Sequence, residues 1–210
     1  MLPIDHVGVV FFCVDGVLVR RADLSLLLEY RLGLRSGPGA VTGAADGCID
    51  AGRWAGIPES AVRAELDGID PVPGVEETAL WCHRSGLLPV IATSAWAPVG
   101  AYLADRFGFH SYTGRALEAD TGVFTGRGAG PMDPACLRDA AVRRADDLGV
   151  APQDCAAVGA LPGAGPLLET VGLGVAFNAP PDLRARADMS VADEDLRAVI
   201  PALERLCPPR

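Results

Sequence analysis

Apolar positions along the chain keep two rhythms. Val7-Gly8-Val9-Val10-Phe11-Phe12-Cys13-Val14 is unbroken and rich in β-branched and aromatic residues. Such a run predicts a strand covered on both faces, as in a parallel sheet, and Asp15-Gly16 ends it. Residues 22–35 change to a helical period, with Leu24, Leu27, Leu28 and Leu32 on one stripe. Residues 36–43 are rich in Gly and Pro and read as a loop. Residues 44–70 carry short helical patterns, one starting at Pro58-Glu59. Pro71-Val72-Pro73-Gly74 is a breaker.

After it, strand and helix alternate. A helix is expected over 75–84, a strand over 88–93 and a helix over 97–107. Segments 117–120 and 123–126 flank Thr121-Gly122, the signature of a hairpin. A helix follows over 133–148, short buried strands over 156–158 and 174–177, and a last amphipathic helix over 193–206. This alternation predicts an α/β protein built on a Rossmann-like parallel sheet. Ligands of such sheets bind beyond the carboxyl ends of the strands. Cys13 to Val17, Thr93 to Trp96 and Gly159 to Ala164 are therefore expected to be neighbours.

Composition narrows the partners. The formal net charge is -9, which disfavours nucleic acid and anionic membrane surfaces. All 18 basic residues are Arg, so no mechanism can draw on a lysine ammonium of this chain. No apolar run is long enough to span a bilayer, and the N-terminus lacks the basic region of a signal peptide. The 6 cysteines form no CxxC pair, and unpaired thiols in a reducing cytoplasm are expected.

The order of parts resembles the haloacid dehalogenase superfamily, in particular its phosphoserine phosphatase-like branch. The resemblance runs from residue 7 to about 188. It is carried by Leu117-Glu118-Ala119-Asp120-Thr121-Gly122-Val123-Phe124-Thr125-Gly126-Arg127 with Gly130-Pro131, and by Gly172-Leu173-Gly174-Val175-Ala176-Phe177-Asn178-Ala179. It implies a core formed by 1–20 and 73–210, a helical cap inserted at 21–72, and a short hairpin. The family's motifs imply an Asp nucleophile that also binds magnesium, an Asp acid/base two residues on, a phosphate-binding Ser or Thr, a Lys, and a carboxylate pair for the metal.

Matched position by position, this chain has Cys13 for the nucleophile and Asp15 for the acid/base. Ser94, with Thr93 before it, matches the phosphate-binding hydroxyl, and Asp133 stands where the Lys belongs. Ala160 and Ala164 replace the carboxylates, and the cap positions for the family's serine-binding Glu and Arg read Ala22 and Gly56. A thiol is a poor ligand for magnesium, which takes hard oxygen donors. Like charges 4 Å apart repel by roughly 4 kcal/mol at an effective dielectric near 20, so Asp15 and Asp133 would oppose a phosphate. No metal and no cofactor are expected.

Each remaining candidate has two readings. Cys13 is a thiol nucleophile for acyl chemistry or a small buried residue filling a vacated slot. Asp15 is a proton carrier or a turn residue ahead of Gly16. Ser94 binds a substrate oxygen or caps the helix at Ala97, and Asp133 binds substrate or caps the helix after it. Trp96 would line an apolar pocket. His6, His83 and His110 fall outside the strand-end cluster.

Three functions follow: a metal-independent enzyme acting on a small molecule or a carrier-bound acyl group, a non-catalytic pseudophosphatase binding a ligand or protein, and a weak phosphatase. Assembly as a homodimer is left open.

Overall fold

The computed structural model describes residues 8–20, 23–35, 50–128 and 134–207. The architecture is a six-stranded parallel sheet with helices packed on it, plus a separate two-stranded hairpin. The strands are β1 (Gly8–Cys13), β2 (Leu87–Trp96), β3 (Ser111–Arg115), β4 (Leu117–Asp120), β5 (Val123–Gly128), β6 (Cys155–Gly159), β7 (Leu173–Phe177) and β8 (Met189–Val191). The sheet order is β3-β2-β1-β6-β7-β8, and β4 pairs antiparallel with β5.

β1 is the innermost strand in the sense that matters for a site. It pairs with β2 on one side and β6 on the other, and all six of its residues are buried. That two-sided burial is the physical reason the run lacks any polar alternation. Phe11 and Phe12 fill opposite faces, and Phe12 meets Phe109 edge-on at 5.4 Å.

The main helices are α1 (Leu24–Arg31), α2 (Glu59–Asp67), α3 (Val75–Arg84), α4 (Ala97–Phe107) and α5 (Pro134–Asp147). The ranges expected for α3 and α4 coincide with those observed. α1 is shorter than expected, and its buried residues are Leu24, Ser25, Leu28 and Glu29 rather than a pure leucine stripe. β2 extends through Ser94 to Trp96, beyond the expected end at Thr93. The edge strands β3 and β8 were not anticipated, because Ser111-Tyr112-Thr113-Gly114-Arg115 and Met189-Ser190-Val191 are short and mixed in polarity. The last expected helix is instead a 3-10 turn (Leu196–Val199), one α-turn (Ile200–Leu203) and a second 3-10 turn (Glu204–Leu206). Pro201 lies in that α-turn, where it removes a backbone donor.

The described part of the helical insertion between β1 and β2 is fastened to the hairpin and to α4. Its segment after the 3-10 turn Ala51–Trp54 runs beside the hairpin: Gly56 N donates to Phe124 O, Phe124 N to Ile57 O and Glu59 N to Gly122 O, each 2.9 Å. The Trp54 ring meets Phe124 edge-on at 6.0 Å. The hairpin turn needs left-handed backbone at Thr121 (φ 48°) and Gly122 (φ 81°), as a two-residue turn of this twist requires. On the other side, Arg106 Nη1 of α4 donates to Leu66 O at 2.7 Å, and the Tyr102 hydroxyl donates to Asp67. No described helix is long and apolar enough to cross a membrane.

Candidate functional site

Three chain segments meet at the carboxyl ends of β1, β2 and β6. The β1 segment turns sharply after Cys13. Gly16 has φ 75°, its N–H donates to Val19 O at 3.0 Å, and Leu18 N donates to Val14 O at 2.9 Å. A side chain at Gly16 would face both that left-handed backbone and Ala160, whose Cβ would lie 2.7 Å from the new atom.

Asp15 uses one carboxylate oxygen as a clasp. Oδ1 accepts from Leu24 N at 2.7 Å and from Asp23 N at 3.1 Å, the entry to α1. Asp23 holds a left-handed conformation (φ 88°) and caps α1 by accepting from Leu26 N at 3.1 Å. Burial raises the Asp15 carboxyl to about 6, the Leu24 and Asp23 N–H bonds pull against that rise, and the Asp23 charge adds to it. Asp15 thus orders the turn into α1.

Cys13 is 8% exposed at the strand end. Burial pushes its thiol up to about 12, and the Asp15 charge adds to the rise. A Cβ placed on Gly159 would lie 3.7 Å from the Cys13 sulfur and 2.5 Å from the Ala164 Cβ. Ala160 and Ala164 are each 4% exposed. Small apolar atoms from β1 and from the loop after β6 are therefore closed on one another.

The β2 segment is more open. Thr93 is buried and spends its Oγ1 on Ala95 N at 3.0 Å, a local turn that accompanies the slip in β2–β3 register between Ala92 and Trp96. Ser94 is exposed. It does not cap α4: the residue at that helix start is Trp96, with no side-chain cap bond and Pro in the first turn.

Trp96 is not an open pocket wall. It is the last residue of β2, 1% exposed, with the Arg115 guanidinium 4.2 Å above its ring. Arg115, at the end of the unanticipated strand β3, is the cation that sequence reasoning missed. Its signal was the alternation before it, in a segment too short to stand out. Asp133, Ala22 and His6 lie outside the described residues. His83 Nε2 donates to Gly108 O at 2.9 Å, outside this cluster.

No protein-family profile matches the chain. Phosphoserine phosphatase SerB2 of Mycobacterium tuberculosis is 28% identical over 201 residues, which cover 91% of this chain and 49% of that protein. The chain thus spans about half the length of this curated relative. Among solved structures, phosphoserine phosphatase in its apo form superimposes with TM-score 0.71 at 18% identity, covering 92% of this chain and 98% of the other. A HAD-family hydrolase from Salmonella enterica serovar Typhi gives TM-score 0.73 at 20% identity, covering 91% and 69%.

The chain is similar to phosphoserine phosphatase SerB2 over most of its length and shares the fold of phosphoserine phosphatase and of a HAD-family hydrolase.

Magnesium is the metal implied by that likeness, and the residues matched to its site do not fit it. A hard dication takes carboxylate, carbonyl and water oxygens. At the matched positions this haloacid dehalogenase-like chain offers a thiol held protonated and the methyls of Ala160 and Ala164. The Asp15 carboxylate beside them already accepts two backbone N–H bonds. Among the described residues, no three His, Cys, Asp or Glu side chains converge.

Proposed function

We propose that this haloacid dehalogenase-like chain is a pseudophosphatase: a binding protein that keeps the phosphatase scaffold and does not turn over phosphate esters by the family's magnesium route. The observation that carries this reading is the Cys13 thiol, buried and raised to about 12, set against the methyls of Ala160 and Ala164. At neutral pH such a thiol is ionised to roughly one part in 10^5, so the matched position supplies neither a carboxylate nor a thiolate nucleophile. Phosphoryl transfer depends mainly on electrostatic stabilisation by metal and cations, and the matched positions carry methyls where the carboxylates would stand. The ligand is a small molecule, and a protein partner is the alternative occupant.

A second reading is favoured by Asp15. A carboxyl that titrates near 6 at a strand end is poised for proton transfer, which suits a metal-independent enzyme on a small-molecule or carrier-bound acyl substrate.

One set of assays separates these. Hydrolysis of phosphoserine and of p-nitrophenyl phosphate is measured with and without magnesium, beside alkylation of native protein by iodoacetamide with peptide mapping. The pseudophosphatase reading expects no magnesium-dependent turnover. It also expects Cys13 to alkylate about 10^3-fold more slowly than a free thiol near pH 8. Magnesium-dependent turnover at an ordinary enzymatic rate would overturn it, and rapid Cys13 labelling would favour thiol chemistry instead.

A further inference from the structure

The seam between the helical insertion and the core does not close along its whole length. Where α2 faces α4 and the hairpin, a cleft of about 380 Å³ remains. Its floor is apolar and buried: Val62 and Leu66 of α2, Leu117 of β4 and Phe124 of β5. The space follows from the sequence of α4, which presents Ala97, Pro98 and Ala101 there, side chains too short to fill it. These three are only half-buried, and Arg63 and Ala116 at the cleft are exposed, so it opens to solvent.

Well-packed interiors leave few voids larger than a water molecule. A concave, mostly apolar wall of this size falls at the lower end of the range for small-molecule sites, about 300–1,000 Å³. It has room for one ring or a short branched chain. Cys13, Asp15, Ser94, Ala160 and Ala164 take no part in the wall. The cleft is therefore distinct from the strand-end cluster and stands whether or not that cluster turns over a substrate.

Two charged side chains reach the wall, Glu59 and Arg63, one turn apart on α2. Arg63 is exposed, and its guanidinium lies 5.9 Å from the centre of the Tyr102 ring, a side chain outside the wall. Glu59 is half-buried beside the apolar floor, in the first turn of α2, where the helix dipole favours a negative charge. Its backbone N–H donates to Gly122 O at 2.9 Å, and its carboxylate has no hydrogen-bond or ion-pair partner among the described residues.

The chemistry of the ligand follows from that imbalance. A carboxylate or phosphate would meet Glu59 and a chain of net charge -9. A hydrocarbon would cover the floor but strip water from Glu59 without replacing it. An ammonium on an apolar body donates to the carboxylate and lays that body against Leu66 and Phe124. We propose that the cleft binds a small organic amine, with Glu59 as its counter-ion and α2, α4 and the hairpin as its walls.

The test uses four probes: 2-phenylethylammonium, its neutral isostere 2-phenylethanol, the anion 3-phenylpropanoate, and ethylammonium, which lacks the ring. Each is titrated into the 15N-labelled 210-residue chain while the amide signals of Glu59–Asp67 and Ala97–Phe107 are followed. Saturating shifts in both helices are expected with 2-phenylethylammonium, at an apparent affinity roughly five-fold tighter than with 2-phenylethanol. The other two probes should not saturate. Glu59→Gln should bring the amine down to the affinity of the alcohol and leave the alcohol unchanged. Asp105→Asn removes an equal charge from an exposed position of α4 outside the wall and should leave the preference intact. Ala101→Leu fills the cleft and should weaken both ligands by roughly five-fold or more. The proposal is overturned if no probe saturates, or if the alcohol or the anion binds as tightly as the amine. It is also overturned if Asp105→Asn removes the preference as Glu59→Gln does, or if Ala101→Leu leaves binding unchanged. Should a variant not fold, the ranking of the four probes on the unaltered protein decides alone. Phosphate hydrolysis is read in a separate assay, so failure here and failure of the pseudophosphatase reading are distinguishable.

Discussion

The strand-end cluster and the seam between insertion and core lie close in the fold and are built in opposite ways. The cluster is small and apolar: Cys13, Gly16, Gly159, Ala160 and Ala164 press methyls, a thiol and backbone together, with the Asp15 carboxyl beside them. The seam is directional. Backbone pairs link Gly56, Ile57 and Glu59 to the hairpin, Trp54 locks onto Phe124, and Arg106 and Tyr102 hold the end of α2. The Asp15 clasp on Leu24 and Asp23 joins the two. Cys13, Ala160 and Ala164 can therefore change without releasing the insertion, because the bonds that seat it come from elsewhere. Architecture and chemistry are carried by separate residues, which is why a shared fold does not transmit an activity.

The sharpest way to break this contrast is to return a carboxylate to the cluster. Ala160 is 4% exposed and lies against Gly16, one residue from Asp15. Ala160→Asp buries an unpaired charge beside another carboxylate, and a loss of ~3–5 kcal/mol in urea unfolding is expected near neutral pH. Magnesium should not restore the loss. Recovery of stability on adding magnesium would mean that the site still accepts a metal, and the contrast would collapse.

Asp15 tests the joint between the two regions, with a smaller effect. Its carboxyl sits at about 6 when folded, above its ordinary value of 3.8, so the folded state binds the proton more tightly than the unfolded chain. The contribution of this group is then fully present below the ordinary value and is lost as pH rises through 6. Asp15→Asn keeps an oxygen for Leu24 N and removes the titration. Relative to that variant, the native protein should lose about 2 kcal/mol between about pH 4 and pH 7. A difference that stays flat with pH would show that the clasp does not bury its charge.

How far sequence reasoning reached follows the same division. The buried runs of β1, β2, β6 and β7 were legible because burial on both faces leaves only apolar residues. The hairpin was legible because Thr121-Gly122 supplies the backbone its turn demands. Asp15 and Cys13 were placed together because both fall at one strand end. Strand β3 was not legible, since an edge strand needs only part of its surface apolar, and Arg115 went unnoticed with it. Glu29 was hidden differently. It falls among leucines on α1, where a charged residue reads as solvent-facing, and only the packing against Trp54 shows that it is enclosed. Trp96 was misjudged because periodicity locates a residue along the chain and does not say what covers it.

The seam itself gives the smallest effect and the most local one. Arg106 donates to Leu66 O at 2.7 Å and approaches Asp67 O at 3.5 Å, while its guanidinium lies 5.1 Å from the Phe107 ring. Arg106→Ala removes a charged donor from the last turn of α2, where carbonyls have no partner within the helix. A global loss of about 1 kcal/mol is expected, since the group is only partly buried. The informative readout is amide hydrogen exchange. Protection should fall in Glu59–Asp67 and stay unchanged in Gly8–Cys13 and Cys155–Gly159. If exchange rises in β1 and β6 as well, insertion and strand ends open as one unit, and the separation between seam and cluster does not hold.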